Sequence, residues 1–232
     1  MKHGDAPAPP AAAPEVFGDR LDLAQQYAEI LAGAGIERGL LGPSETDRVW
    51  ERHILNSAAA AELIGAGQRV GDVGSGAGLP GIPLALAQPD IQMVLIEPLL
   101  RRSEFLNEVI AELDLAAHGI DVRVLRGRAE DRAVREDAGL LDVVTSRAVA
   151  PLDKLARWSL PLLRTGGRMV ALKGDRAAIE IDEHRRVLQT LGALDAEVVK
   201  CGVTYLDPPA TVVVARRGPH REGSRRTARS RR

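Results

Sequence analysis

The sequence predicts an α/β protein: a mostly parallel, doubly wound sheet covered by helices on both faces, closed by an antiparallel hairpin and preceded by a helical extension. Three observations predict it. From Arg69 onward, short β-rich runs alternate with helical segments, the rhythm that builds parallel strands through helical crossovers. A glycine-rich turn, Gly71-Asp72-Val73-Gly74-Ser75-Gly76-Ala77-Gly78, leaves the first of these runs and enters a helix. The last two strand-like runs, Glu197 to Tyr205 and Thr211 to Arg216, flank Asp207-Pro208-Pro209-Ala210; no helix fits between them, so they pair antiparallel.

The elements follow in order. Residues 1–18, rich in Ala and Pro, read as a disordered lead-in. A helical extension spans 19–66. Its first helix, Leu21 to Leu31, is ended by Gly33 and Gly35; its second is capped by Ser44, carries Asp47 in its first turn, and runs through Trp50, Ile54 and Ala58 to Ile64. The main domain spans 67–217. Its strands are Arg69 to Val73, Ile91 to Glu97, Asp121 to Leu125, Leu141 to Ser146 and Gly167 to Leu172. Its helices are Leu79 to Gln88, Leu99 to Leu113, Glu130 to Glu136, Leu152 to Leu163 and Arg176 to Leu191. Residues 218–232 form a disordered arginine-rich tail.

Composition narrows the function. A chain of 232 residues suits one large domain with an extension, and aromatics at 3% leave the core to Leu, Val, Ile and Ala. The single cysteine, Cys201, excludes a disulfide framework and a cysteine-based zinc cluster; no metal site is expected. Only Cys201 could serve as a thiolate nucleophile, and in a late strand it reads as a small buried residue instead. No apolar run approaches the ~20 residues of a membrane span, and the N-terminus lacks a signal pattern, so a cytoplasmic protein with no membrane partner is expected. The net charge of −1 is uneven: Arg216 to Arg232 holds eight arginines against Glu222, a net +7, which leaves −8 for the rest. Such a tail suits non-specific phosphate contact or mere solvation, and any grip of the body on nucleic acid must come from a local patch. No coiled-coil heptad points to an obligate dimer, so a monomer is expected.

The glycine turn places helix N–H groups and a closely approaching backbone against a ligand. Gly76, Gly78 and Gly81 also satisfy the dinucleotide pattern G-x-G-x-x-G, which alone is weak and keeps a nicotinamide-dependent oxidoreductase open. The acids around the turn point instead to S-adenosylmethionine. Asp72, before the loop, suits the cationic amino-acid end of that cofactor and would repel a pyrophosphate. Glu97, at the end of the second strand, suits the ribose hydroxyls of either cofactor. Gly127-Arg128-Ala129-Glu130-Asp131, after the third strand, can present an amide and a carboxylate to adenine, or simply cap a helix.

At this point a family resemblance becomes specific. Asp72-Val73-Gly74-Ser75-Gly76-Ala77-Gly78-Leu79-Pro80-Gly81-Ile82-Pro83 resembles the signature of the RsmG (GidB) family, bacterial enzymes that methylate N7 of a guanine in the 530 loop of 16S ribosomal RNA. Arg52-His53-Ile54-Leu55-Asn56-Ser57, Ser146-Arg147-Ala148 and Ala171-Leu172-Lys173-Gly174 agree with it, and the likeness runs from about Leu21 to Arg216. It implies a class I, Rossmann-like methyltransferase sheet of seven strands, 16S rRNA or the small ribosomal subunit as partner, and S-adenosylhomocysteine as product. It implies cofactor contacts from Gly74, Leu79, Ala129, Glu130 and Arg147, beside the Asp72, Ser75, Gly76, Gly78 and Glu97 of the turn and strand ends. A non-catalytic RNA-binding assembly protein that keeps a vestigial fold is the remaining alternative, disfavoured by the intact acid–glycine–acid arrangement.

Guanine N7 carries a free lone pair and no proton, so its methylation requires no general base and rests on proximity and orientation. The candidate catalytic residues are accordingly positioning groups: Arg147, His53 and Lys173. Arg147 follows the fourth strand and is expected to touch guanine O6, a phosphate or the cofactor. His53 shares a helix face with Asn56 and serves either to orient the ligands or to pack the helix. Lys173 ends the fifth strand and is a candidate phosphate contact or a surface lysine. Arg101, Arg102, Arg123, Arg126, Arg128 and Arg157 are further candidate phosphate contacts.

Overall fold

The computed structural model describes residues 1–88 and 90–219. The sheet comprises β1 (Arg69–Val73), β2 (Gln92–Glu97), β3 (Asp121–Arg126), β4 (Leu141–Arg147), β5 (Leu163–Lys173), β6 (Ala193–Cys201) and β7 (Ala210–Arg217). Its order is β3-β2-β1-β4-β5-β7-β6. The first five strands are parallel, and β7 lies antiparallel between β5 and β6. The alternating rhythm and the closing hairpin therefore form as the sequence predicts. The hairpin's first strand lies earlier than expected, because Gly202 (φ 69°) turns the chain out of the ladder before Tyr205.

Strand side chains alternate between two cores. Met93 and Leu95 enter the core that also takes the helical extension, whereas Val94 and Ile96 enter the opposite one; on β4, Val143 and Val144 divide the same way. The extension-side core holds most of the scarce large aromatics, with Tyr27, Trp50 and Phe105 fully buried. Helices α4 (Gly81–Ala87) and α5 (Leu100–Glu112) belong to that face; α6 (Arg132–Ala138), α7 (Leu152–Ser159) and α8 (Ala177–Thr190) pack on the other.

The N-terminal region departs from expectation. Residues 1–18 are packed, not a loose lead-in. They include α1 (Ala13–Phe17), with Pro14 in its first turn, where a fixed φ and a missing N–H are suited. Phe17 lies 6.3 Å from Trp50 ring to ring, and Trp50 Nε1 donates to the Pro7 carbonyl at 2.9 Å. After α2 (Leu21–Ile30) the chain runs through a π-helical turn at Leu31–Gly35. The second helical run is uneven: a 3-10 stretch Pro43–Arg48, a π-helical stretch Val49–Leu55, the short α3 (Asn56–Ala58) and a 3-10 stretch Ala59–Leu63. Ser44 does not cap it; Gly42 precedes Pro43 at the start, with no side-chain cap.

The arginine-rich tail lies largely outside the described residues. Among those described, no helix is long and apolar enough to cross a membrane.

Candidate functional site

The strand order reverses between β1 and β4, and the crevice beyond the carboxyl ends of parallel strands at such a switch point is where ligands bind. Two cavities open there. A cleft of about 120 Å³ lies over β1, β2 and β3, where Gly74, Ile96 and Pro98 face Gly127, Ala129 and Glu130. Val149 and Trp158 close its far side. A larger cavity of about 690 Å³ lies over β4 and β5; Arg48, Arg52 and Asn56 from the extension face Arg147, Ala148 and Lys173. Tyr205, Asp207 and Pro208, from the β6–β7 loop, complete it.

Beneath the glycine turn, behind the cleft lining at Val73, Gly74, Ile96 and Pro98, the two acids form a buried floor. Asp72 is fully buried; its Oδ2 accepts from Ser75 Oγ at 2.7 Å and from the Gly81 amide, the first of α4, at 3.1 Å. Burial pushes its carboxyl up to about 7, against those two hydrogen bonds, with the nearby Glu97 adding to the rise. Glu97 is also buried; its oxygens accept the Gly76 amide at 2.9 Å and the Leu99 amide at 3.0 Å. The acids thus clasp the glycine turn from beneath. Gly74 (φ 71°) needs the left-handed conformation that glycine adopts freely, and a Cβ there would lie 2.9 Å from Val149.

This floor fits a cationic, adenosine-bearing ligand. Asp72 Oδ1 and Thr145 Oγ1, at paired positions of β1 and β4, are buried without a hydrogen-bond partner among the described residues. Buried polar groups are ordinarily satisfied, so an unpaired carboxylate oxygen under a glycine turn suits a positive amino-acid group, reached directly or through water. The bare strip of Gly74, Gly127 and Ala129 leaves room for a flat ring beside Ile96 and Pro98. Gly78 and Leu79 fall outside the lining of this cleft: they carry the chain into α4, and Leu79 packs in the extension-side core. Glu130 sits at the rim, 3.7 Å from Arg128.

Arg147 lines the larger cavity and not the first cleft. Its Nη1 donates to the His53 carbonyl at 3.0 Å and to Ser57 Oγ at 2.8 Å; its Nη2 donates to the Arg52 carbonyl at 2.6 Å and to His53 Nδ1 at 3.2 Å. Both carbonyls belong to the π-helical stretch Val49–Leu55, and the guanidinium fork meets the two together. Burial, reinforced by the Arg52 charge, lowers the Arg147 pKa to about 10, so it stays cationic at neutral pH. An arginine has no acceptor, so His53 Nδ1 must accept and its proton sits on Nε2, which faces Glu45 Oε2 at 2.7 Å. Burial and then Arg147 hold the His53 pKa below the usual value, against Glu45. His53 is therefore a neutral strut between Glu45 and Arg147, behind the cavity wall. Lys173 reaches the rim, but its Nζ donates to the Ala150 carbonyl at 2.9 Å and to Glu180 at 2.7 Å. Of the other candidate cations, Arg123 is spent on Asp137. Cys201 is buried and its thiol is pushed up to about 11, which suits packing and not attack.

Several site residues were not singled out by sequence. Tyr27 on α2 is buried and donates to the Ala77 carbonyl at 2.8 Å, fixing the glycine turn from the extension. A Cβ on Gly78 (φ 99°) would come within 2.9 Å of that hydroxyl. Val149 and Trp158 wall the cleft, and Ser57 and Glu45 hold Arg147 and His53. Of these, Ser57 and Val149 carried a signal: Ser57 ends the Arg52-His53-Ile54-Leu55-Asn56-Ser57 string, and Val149 follows Ser146-Arg147-Ala148.

Comparison with known proteins identifies the family and the fold. Residues 20–206 match the GidB family, described as rRNA small subunit methyltransferase G. A Mycolicibacterium smegmatis protein named ribosomal RNA small subunit methyltransferase G is 68% identical, aligned over 100% of this chain and 97% of its own. Among solved structures, a predicted O-methyltransferase from Agrobacterium tumefaciens superposes with a TM-score of 0.56 at 20% identity, covering 71% of this chain and 81% of its own. M. jannaschii TYW2 in complex with AdoMet superposes with a TM-score of 0.51 at 21% identity, covering 71% and 74%. These structures share the fold; the sequence match extends through the extension, the glycine turn and both cavity walls, and by it the chain belongs to the rRNA small subunit methyltransferase G (GidB) family.

Proposed function

We propose that the protein transfers the methyl group of S-adenosylmethionine to N7 of a guanine in the 530 loop of 16S ribosomal RNA. The observation that carries this reading is the pairing of two cavities across one loop: a cleft at the glycine turn with two buried acids behind it, and a larger cavity into which the extension sets Arg48, Arg52 and Asn56. When bound, the cofactor supplies a sulfonium methyl group, to which guanine N7 offers a lone pair without any prior loss of a proton.

The chain's own part is placement. Asp72 faces the amino-acid end of the cofactor, Glu97 accepts ribose hydroxyls, and the backbone at Ala129 with Glu130 reads adenine. The extension, bolted to β4 by Arg147, sets Arg48, Arg52 and Asn56 where a nucleic-acid backbone and base would lie. N7 is shielded within an A-form helix, so the target is a looped or extruded guanine. As positive charge passes to the ring, a preorganised pocket that excludes water stabilises the change. His53, neutral and braced between Glu45 and Arg147, accords with a reaction that needs no base.

The test is to map 7-methylguanine in ribosomal RNA from cells with the protein, without it, and with a Gly74→Asp variant. Loss of one modified guanine in the last two is expected. Unchanged modification, or binding of a nicotinamide cofactor in place of S-adenosylhomocysteine, overturns the proposal.

A further inference from the structure

The segment 148–151 separates the two cavities: Ala148 lines the larger and Val149 the smaller. It is held against its own backbone preference, since Ala148 sits at φ 53°, a left-handed conformation that disfavours residues with a Cβ. Strain of that kind persists only where neighbouring structure enforces it. Just beyond Ala148, the segment and the start of α7 are tied to one ion pair. Lys173 Nζ donates to the Ala150 carbonyl at 2.9 Å and to Glu180 Oε2 at 2.7 Å. The same Glu180 oxygen accepts the Leu152 amide, the first N–H of α7, at 3.0 Å. The pair is mostly withdrawn from solvent, with side-chain exposures of 11% for Lys173 and 21% for Glu180.

We propose that Lys173 and Glu180 are positioning residues, a clamp on β5 and α8 that fixes the 148–151 segment so that Val149 presses on Gly74 and shapes the cofactor cleft, and that Lys173 is not a phosphate contact. The inference rests on the methyl-transfer reading for its rate measurements, but not for its binding measurement. A lysine committed to a carbonyl and a carboxylate has little donor capacity left for nucleic acid. Removing either partner frees the Ala150 carbonyl or the Leu152 amide and lets Ala148 relax, which withdraws Val149 from Gly74.

The test compares Lys173→Met, Glu180→Gln and the double variant with the wild-type protein. S-adenosylhomocysteine affinity by calorimetry is expected to weaken about tenfold in each single variant, with the double variant no worse than the weaker single. In turnover, kcat should fall while the KM for RNA and the salt dependence of RNA binding stay at wild-type values. If Lys173→Met instead raises the RNA KM and flattens the salt dependence, while S-adenosylhomocysteine affinity and the Glu180→Gln enzyme stay normal, the lysine contacts phosphate and the clamp is wrong. Should these variants fail to fold, Glu180→Asp keeps the charge but shortens its reach, and the same measurements decide on it. A wild-type protein that binds S-adenosylhomocysteine but leaves RNA unmodified would defeat the functional reading alone; the affinities would still judge the clamp.

Discussion

Asp72 is buried with a carboxyl raised to about 7, and its charge is what a cationic ligand seeks. The deprotonated form binds, so S-adenosylhomocysteine affinity should rise roughly tenfold between pH 6 and pH 8, and Asp72→Asn should abolish that slope in a calorimetric titration. Stability runs the other way. A folded-state pKa above the unfolded value of 3.8 means the native state holds this proton more tightly. The stability so gained is full below about pH 4 and is lost as pH rises through about 7. Asp72→Asn should therefore raise Tm by a few degrees at pH 8 and leave it nearly unchanged at pH 4, measured by calorimetry. Arg147 gives a second prediction. Its fork meets two carbonyls, a hydroxyl and an imidazole, which a lysine ammonium cannot reach together. Arg147→Lys should leave at least one buried acceptor unmatched, at about 1–3 kcal/mol. Tm and turnover should drop, with S-adenosylhomocysteine affinity little changed; a loss confined to cofactor binding would contradict the placement of Arg147 on the extension.

At the level of elements, the glycine turn is supported from two directions, by the acids below and by Tyr27 on α2 behind. Tyr27→Phe removes one hydrogen bond from a buried carbonyl, about 1 kcal/mol, and should weaken S-adenosylhomocysteine binding severalfold with only a small fall in Tm. The strands and helices around this turn were legible because hydrophobic alternation and glycine punctuation are local signals. The acids at the tips of β1 and β2 were legible for the same reason: each sits at a fixed offset from a glycine turn or a strand end. Tyr27 was not, because its meaning depends on a contact across 50 residues of sequence with a backbone carbonyl, which no local pattern records. His53 and Lys173 were legible as residues of interest but not in their roles. Their partners, Glu45 and Glu180, lie 8 and 7 residues away across a change of secondary structure, and each turns a candidate for substrate contact into an internal brace. The irregular run from Pro43 to Leu63 was read as one smooth helix, since periodicity cannot distinguish 3.6 residues per turn from the tighter and wider turns that tertiary packing imposes.

Across the whole molecule, the extension and the first 18 residues behave as part of the body. Composition suggested otherwise, because Ala and Pro dominate the start of the chain; a single aromatic, Phe17, anchors it against Trp50. Deleting residues 1–18 removes that burial, about 2 kcal/mol for the phenyl ring alone, and should lower Tm by several degrees. A truncated protein of unchanged Tm would show the packing to be incidental. The separation of the two cavities by the 148–151 segment reaches into the order of events during turnover. On the proposed function, donor and nucleic acid have different doors, so spent donor can be replaced while the nucleic acid stays in place. Neither ligand should have to wait for the other, and S-adenosylhomocysteine should compete with the methyl donor but not with RNA in steady-state inhibition.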